Sequence, residues 1–79
     1  KKMENEAAFV AALQAGMVSI TFTSLVSGAE ITEEFTLQGV ELPSPNPVSD
    51  KIVLLRTSTA LYEDIQKDSI ISWQAPDEP

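Results

Sequence analysis

The sequence predicts a mainly β domain: a small five-stranded antiparallel barrel with one short N-terminal α-helix. Val18, Ile20 and Phe22 alternate with polar residues, which is the period of a half-buried strand. Near the end of the chain, a strand, a polar turn at residues 67–69 and a second short strand ending at Trp73 follow one another. Many small SH3-like barrels end in this order, so we expect that type of barrel.

Length and composition indicate a single domain over residues 1–79. A chain of 79 residues is too short for two ordinary domains, and its core is small. A hydrophobic content of 43% with 22% charged residues fits a folded domain rather than a disordered one. The chain has no cysteine, which excludes disulfides and thiolate metal sites.

The helix is predicted over residues 4–15. Asn5 is placed to cap its N-terminus, and Gly16 to end it in a left-handed conformation. Phe9 and Leu13 lie on one face of such a helix. A helix this short must dock on something, so these two residues either plug an open end of the barrel or pack on a partner chain.

Residues 17–37 are predicted to form a β-hairpin. Gly28 suits its turn because glycine readily adopts a positive φ. In the return strand Ile31 and Phe35 share one face, and Glu33 interrupts it. An unpaired buried carboxylate is costly, so we expect Glu33 at the rim or on an exposed part of a curved strand.

Residues 38–51 break the strand pattern with prolines at 43, 45 and 47. Proline fixes φ and favours extended geometry in its neighbours. This loop is interpreted as a rigid spacer between two halves of the sheet or, alternatively, as a proline-rich epitope for an aromatic groove on another protein.

Residues 52–74 are predicted to form three closing strands. The first begins with Ile, Val, Leu and Leu at residues 52–55, and a continuous apolar run indicates a strand covered on both faces. It would lie centrally under the helix or at a subunit contact. Residues 75–79 are expected to be a frayed tail.

The residue types argue against an enzyme and predict no cofactor or metal. Histidine and cysteine are absent, which removes the usual general base and the best metal ligands. The glycines are isolated, so no phosphate-binding loop is present. Glu33-Glu34 and Glu63-Asp64 are adjacent pairs, and neighbouring residues of a strand point to opposite faces.

The net charge of −7 is unevenly distributed, with no lysine or arginine between Met3 and Asp50. A phosphate-binding surface needs clustered cations, so this pattern disfavours nucleic acid. The acidic residues either keep a small protein soluble or form a face for a basic partner. No apolar run reaches the roughly 20 residues of a membrane span, and no signal-peptide core follows Lys1 and Lys2, so a soluble intracellular protein is expected.

The aromatic residues fall into two groups. The three phenylalanines, at positions 9, 22 and 35, lie on apolar stripes and are expected in the core. Tyr62 and Trp73 have polar tips that suit half-exposed positions, and both types are common interface anchors. For Trp73, the alternative is that it caps the barrel beside the helix.

Three stretches resemble a known family: residues 9–23, residues 34–37 and the ending Lys-Asp-Ser-Ile-Ile-Ser-Trp at 67–73. They are similar to small bacteriophage WYL-like proteins with an Sm-like, SH3-type barrel, a family whose function is largely uncharacterised. The resemblance implies that fold, a phage protein in the host cytoplasm, and nucleic-acid or ligand sensing. Where relatives carry cations, this chain has Glu33 and Glu34, and Tyr62-Glu63 followed by Asp64. None of the family's binding residues can be assigned to a matching position in this chain.

These observations together predict a non-enzymatic phage accessory protein that acts as an acidic interaction module on a host or phage protein. Alternatives are nucleic-acid or nucleotide-ligand binding, and a structural homo-oligomer assembled through strand edges. The candidate partner-binding residues are Glu33, Glu34, Tyr62, Glu63, Asp64 and Trp73.

Overall fold

A computed structural model describes residues 5–75 of the chain. The elements are α1 Glu6–Ala15, β1 Met17–Thr23, β2 Glu30–Thr36, β3 Lys51–Arg56, β4 Leu61–Gln66 and β5 Ile70–Gln74. The five strands form a single antiparallel sheet in the order β4-β3-β2-β1-β5. A 3₁₀ turn, Lys67–Ser69, joins the last two strands. The predicted mainly β class with one short helix is confirmed. Within the described part, β4 and β5 are not paired with each other, so a closed ring of strands is not detected.

The helix ends differ from the sequence prediction, and residue 4 lies outside the described residues. Asn5 occupies the N-cap position with φ of 58°, but its side chain makes no capping hydrogen bond. Its carbonyl instead accepts the N–H of Phe9 at 3.0 Å. Gly16 is extended, with φ of 172°, so the predicted left-handed ending is wrong. The Gly16 N–H still bonds to the carbonyl of Ala12, at 3.1 Å, and the chain passes directly into β1.

The core lies between α1 and the inward face of the sheet. Phe9 and Leu13 have no exposed surface, so this face of the helix packs within the chain itself. The predicted alternation along β1 is confirmed, and all three phenylalanines are buried. The buried apolar residues are Phe9, Leu13, Val18, Ile20, Phe22, Phe35, Leu37, Ile52, Leu54 and Ile65.

The hairpin β1–β2 forms as predicted. Gly28 has a φ of 76°, and its N–H donates to the carbonyl of Ser24 at 2.8 Å. The N–H of Ser24 in turn bonds to the carbonyl of Ala29. The turn therefore places a residue without a Cβ at the position where a side chain is disfavoured.

Strand β3 corrects the prediction that residues 52–55 are covered on both faces. Ile52 and Leu54 are buried, but Val53 between them is 42% exposed and Leu55 is only half-buried. The helix packs on the inward face, mainly over β1 and β2, so it cannot cover the outward side chains of β3. The apolar run is therefore half core and half surface.

The proline-rich loop runs from the end of β2 to Lys51, where β3 begins. Leu37 at its start is buried, and Leu42 packs against the core. Of the predicted tail, residues 76–79 lie outside the described part. Among residues 5–75, no helix has the length and apolar character needed to cross a bilayer.

Candidate functional site

Glu33 and Glu63 both bind Arg56. Arg56 ends β3 on the inward side of the sheet, where it pairs with Phe35 of β2 and lies 5.5 Å from the centre of that ring. Its Nη2 donates to Oε1 of Glu63 at 3.0 Å, and Nη1 lies 3.8 Å from Oε2 of Glu33. The Glu33 side chain is thus 33% exposed, and its charge is partly balanced by Arg56.

The contact between Arg56 and Glu63 is close but not fully hydrogen-bonded. Nε of Arg56 lies 2.7 Å from Oε2 of Glu63, yet its N–H does not point along that line, so this second contact is ionic. The Arg56 side chain is 19% exposed. We call Glu33, Arg56 and Glu63 the arginine cluster. It links the end of β3 to the middle of β2 and of β4, and its cation is already paired within the chain.

Tyr62 and Asp64 lie on the opposite, outward face of β4. In the register, Tyr62 faces Leu55 and Asp64 faces Val53, both on β3. Tyr62 is 55% exposed, and Glu34 on β2 is also exposed. The Glu34 carbonyl accepts the N–H of Thr57, the residue after β3, which places Glu34 opposite Thr57 and diagonal to Leu55, whose direct partner on β2 is Thr36.

Val53, Leu55 and Tyr62 are the apolar members of this outward group, with Asp64 opposite Val53 and Glu34 diagonal to Leu55. Two of the six predicted site residues therefore lie in the arginine cluster, and three lie together on the outer face. We define the outer patch as Glu34, Val53, Leu55, Tyr62 and Asp64.

Trp73 is separated from the outer patch. It lies on β5, at the other end of the strand order, opposite Ile20 and half-buried. Its ring centre is 5.3 Å from that of Phe9, with the rings tilted by 50°. This placement agrees with the alternative in which Trp73 caps the core beside the helix.

Lys67 forms a buried junction that sequence reasoning missed. Its side chain is 6% exposed, and Nζ lies 2.6 Å from Oε2 of Glu6, which starts α1. Nζ also donates to the carbonyl of Asn46 in the proline-rich loop, at 2.9 Å. The Lys67 N–H donates to the carbonyl of Asp50. These partners are up to 61 residues away, so local sequence carries no signal for them.

The ion pairs leave the described surface strongly acidic. Residues 5–75 contain three cations, of which Arg56 and Lys67 are bound to carboxylates and only Lys51 is exposed. The exposed carboxylates on the same residues are Glu30, Glu34, Glu41, Asp50, Asp64 and Asp68. This surface attracts cations and repels phosphate.

An open cleft of about 470 Å³ lies between α1 and the proline-rich loop. Its walls are mostly small or apolar side chains, and Glu6 at its edge is already paired with Lys67. Apart from Glu6, none of the lining residues has an ionisable side chain. The lining residues are Glu6, Ala7, Val10, Ala11, Gln14, Pro45 and Pro47.

The described residues bring no three carboxylates together in a group that could hold a metal ion. Comparison of the chain with protein-family models, with curated proteins and with solved structures found no match.

Proposed function

We propose that this protein is a non-enzymatic interaction module that binds a basic protein partner through the outer patch. The observation that carries this proposal is that two of the three cations among the described residues are already paired with carboxylates of the same chain. Arg56 and Lys67 are held in partly or fully buried ion pairs, whereas six carboxylates of the described residues are exposed. Electrostatic complementarity then favours a partner with clustered lysine or arginine.

The outer patch supplies the apolar area that such an interface needs. Tyr62 and Val53 are exposed on adjacent strands, and Tyr62 pairs directly with Leu55. A tyrosine provides a large, rigid contact surface with a polar tip, which suits it as an anchor. Glu34 and Asp64 belong to the same patch, so apolar and ionic contacts can form together.

We further propose that the sheet belongs to the SH3-like type in its Sm-like form, and that the partner is a host or phage protein. In support, β5 lies beside β1, a helix precedes the first strand, and a 3₁₀ turn links β4 to β5. Binding to nucleic acid is less well supported, because Lys51 is the one exposed cation within residues 5–75.

Affinity capture tests the proposal. The tagged chain is compared with the double variant Tyr62→Ala/Asp64→Lys in a host lysate, with mass spectrometry as the readout. Asp64 is chosen over Glu63 because Glu63 binds Arg56, and its replacement would disturb the fold.

The matched control is Val48→Ala/Glu41→Lys, which makes the same change of charge and truncates another exposed apolar residue, away from the sheet. We expect the captured partner to be lost from the outer-patch variant, to be retained by the control, and to dissociate as salt is raised. Equal capture by both variants would show that the outer patch is not the binding surface.

A structural homo-oligomer is a second candidate, favoured by the two sheet edges. Within the described residues β4 pairs only with β3 and β5 only with β1, and exposed apolar side chains lie on both edge strands, including Leu61 and Ile71. Such edges can pair between copies. Light scattering at high concentration tests this, and a monomeric mass would exclude it.

A further inference from the structure

We propose that the partner joins the sheet as an added strand along β4. This partner strand carries a lysine or arginine facing Asp64, and an apolar side chain facing Tyr62. The inference rests on the proposed function and specifies how the basic partner binds.

The backbone edge of β4 is the first observation. Six residue pairs link β4 to β3, and within residues 5–75 no other strand pairs with it. In an antiparallel strand, alternate residues direct their N–H and C=O groups to the side away from the neighbour. Extended peptides bind such edges through main-chain hydrogen bonds, and side chains set the specificity. The Leu61 N–H is already donated to Oγ1 of Thr59, so the accepting segment begins at Tyr62.

The side chains of β4 define the sequence that would fit. Tyr62 and Asp64 point outward, whereas Leu61 and Glu63 lie on the inward side, where Arg56 already binds Glu63. Residues directly opposite one another in paired strands have Cβ atoms about 5 Å apart. An antiparallel partner therefore places a cation opposite Asp64 and two consecutive apolar residues opposite Tyr62 and Leu61. Its sequence pattern is basic, any residue, apolar, apolar.

Charge distinguishes this occupant from the alternatives. The other sheet edge, β5, has no charged residue in Ile70–Gln74, so a basic segment gains no ion pair there. Two β4 strands from different copies would bring their carboxylates together, which is destabilising. A second copy that offered β5 would leave Asp64 without a cation. A basic segment of another protein can both form main-chain hydrogen bonds with the edge of β4 and place a cation opposite Asp64.

The test is an NMR titration of the full-length, ¹⁵N-labelled chain with a blocked hexapeptide, Thr-Lys-Thr-Val-Val-Thr. We expect shift changes and slowed hydrogen exchange at alternate amides of β4. Replacing the peptide lysine with glutamate should weaken binding about three- to fivefold, the effect of one exposed ion pair. Asp64→Asn should weaken binding of the lysine peptide by a similar factor and strengthen binding of the glutamate peptide, because it removes the like charge opposite the glutamate.

Backbone methylation separates strand addition from docking by side chains alone. Two further peptides carry N-methyl groups on the odd or on the even residues. Only one edge of an added strand bonds to β4, so one of these peptides should lose binding and the other should keep it. Equal binding by both, protection at β5 instead of β4, or no shift up to about 5 mM peptide would overturn the inference.

The result is separable from the test of the proposed function. If Tyr62→Ala/Asp64→Lys abolishes capture but the peptides protect no β4 amide, the partner binds the outer patch without extending the sheet. If that variant leaves capture unchanged, the proposed surface itself is wrong.

Discussion

Nζ of Lys67 lies 2.6 Å from Oε2 of Glu6, although 61 residues separate them in the chain. Both side chains are largely buried, with 6% and 14% of their surfaces exposed. The pair joins the start of α1 to the 3₁₀ turn between β4 and β5, and the bond from Lys67 to the Asn46 carbonyl adds the proline-rich loop. One ammonium group thus fixes three segments that no sheet hydrogen bond connects directly.

Breaking this pair should destabilise the domain. Glu6→Gln leaves the Lys67 ammonium buried with only the Asn46 carbonyl and solvent to replace the carboxylate. We expect the free energy of unfolding to fall by about 2–3 kcal/mol, somewhat less than for a fully buried pair. Urea denaturation followed by Trp73 fluorescence measures it.

The double variant Glu6→Leu/Lys67→Met should recover most of that loss, because no unpaired charge remains. Glu41→Gln, at an exposed position, is the control and should change stability by less than about 0.5 kcal/mol. A Glu6→Gln protein as stable as the parent would mean that the pair contributes nothing.

The arginine cluster should contribute less to the stability of the domain than the Glu6–Lys67 pair, because its members are partly exposed. Arg56→Met removes the cation between Glu33 and Glu63 and its contact with the Phe35 ring, and we expect a loss of about 1 kcal/mol. Arg56→Lys keeps the positive charge but lacks the planar guanidinium group, so it should recover only part of the lost free energy of unfolding. Thermal unfolding at low and high salt measures both, and the deficit should shrink in about 1 M NaCl. A deficit unaffected by salt would argue for lost packing instead.

Two glycines should respond oppositely to alanine. Gly28 has a φ of 76°, so Gly28→Ala should cost about 1–2 kcal/mol. Gly16 is extended, and Gly16→Ala should be neutral or slightly stabilising because alanine restricts the unfolded chain. A Cβ would meet no atom within 4 Å at either site, so the comparison isolates backbone conformation. A destabilised Gly16→Ala protein would contradict the extended ending of α1. Chemical denaturation of both variants provides the measurement.

The hydroxyl of Thr36 should hold the junction between α1 and β1. Its Oγ1 lies 2.7 Å from the Gly16 carbonyl, to which it donates, and accepts the N–H of Gln38 at 3.0 Å. Thr36→Val keeps the shape but leaves these groups without a partner, and we expect a loss of about 1–2 kcal/mol. Thr32→Val is the control: its hydroxyl bonds to Thr21 in an exposed position, so its loss should change stability by under about 0.5 kcal/mol. Equal effects in urea denaturation would refute a special role for Thr36.

Local patterns were sufficient to predict most elements of the fold. The alternation at Val18, Ile20 and Phe22 places β1 because side chains of a strand alternate between its faces. Gly28 marks the hairpin turn because its φ is positive. The polar residues 67–69 mark the 3₁₀ turn. These features depend on neighbours only a few residues away, and the same is true of the exposed positions of Tyr62 and Asp64.

The pairing of charges depended on the tertiary structure alone. The sequence offers Glu33, Glu34, Glu63 and Asp64 together as acidic candidates and gives no cation partner for any of them. The register of β2, β3 and β4 brings Arg56 between two of them and leaves the other two on the outer face. The run at residues 52–55 likewise predicts cover on both sides, but the helix packs on the inward face alone and Val53 on the other face is 42% exposed. The sequence by itself determined the strands, the acidic composition and the exclusion of common catalytic groups. Only the folded chain decided which charges are neutralised, because ion pairs require atoms within a few ångströms and the partners of Lys67 are 21 and 61 residues distant.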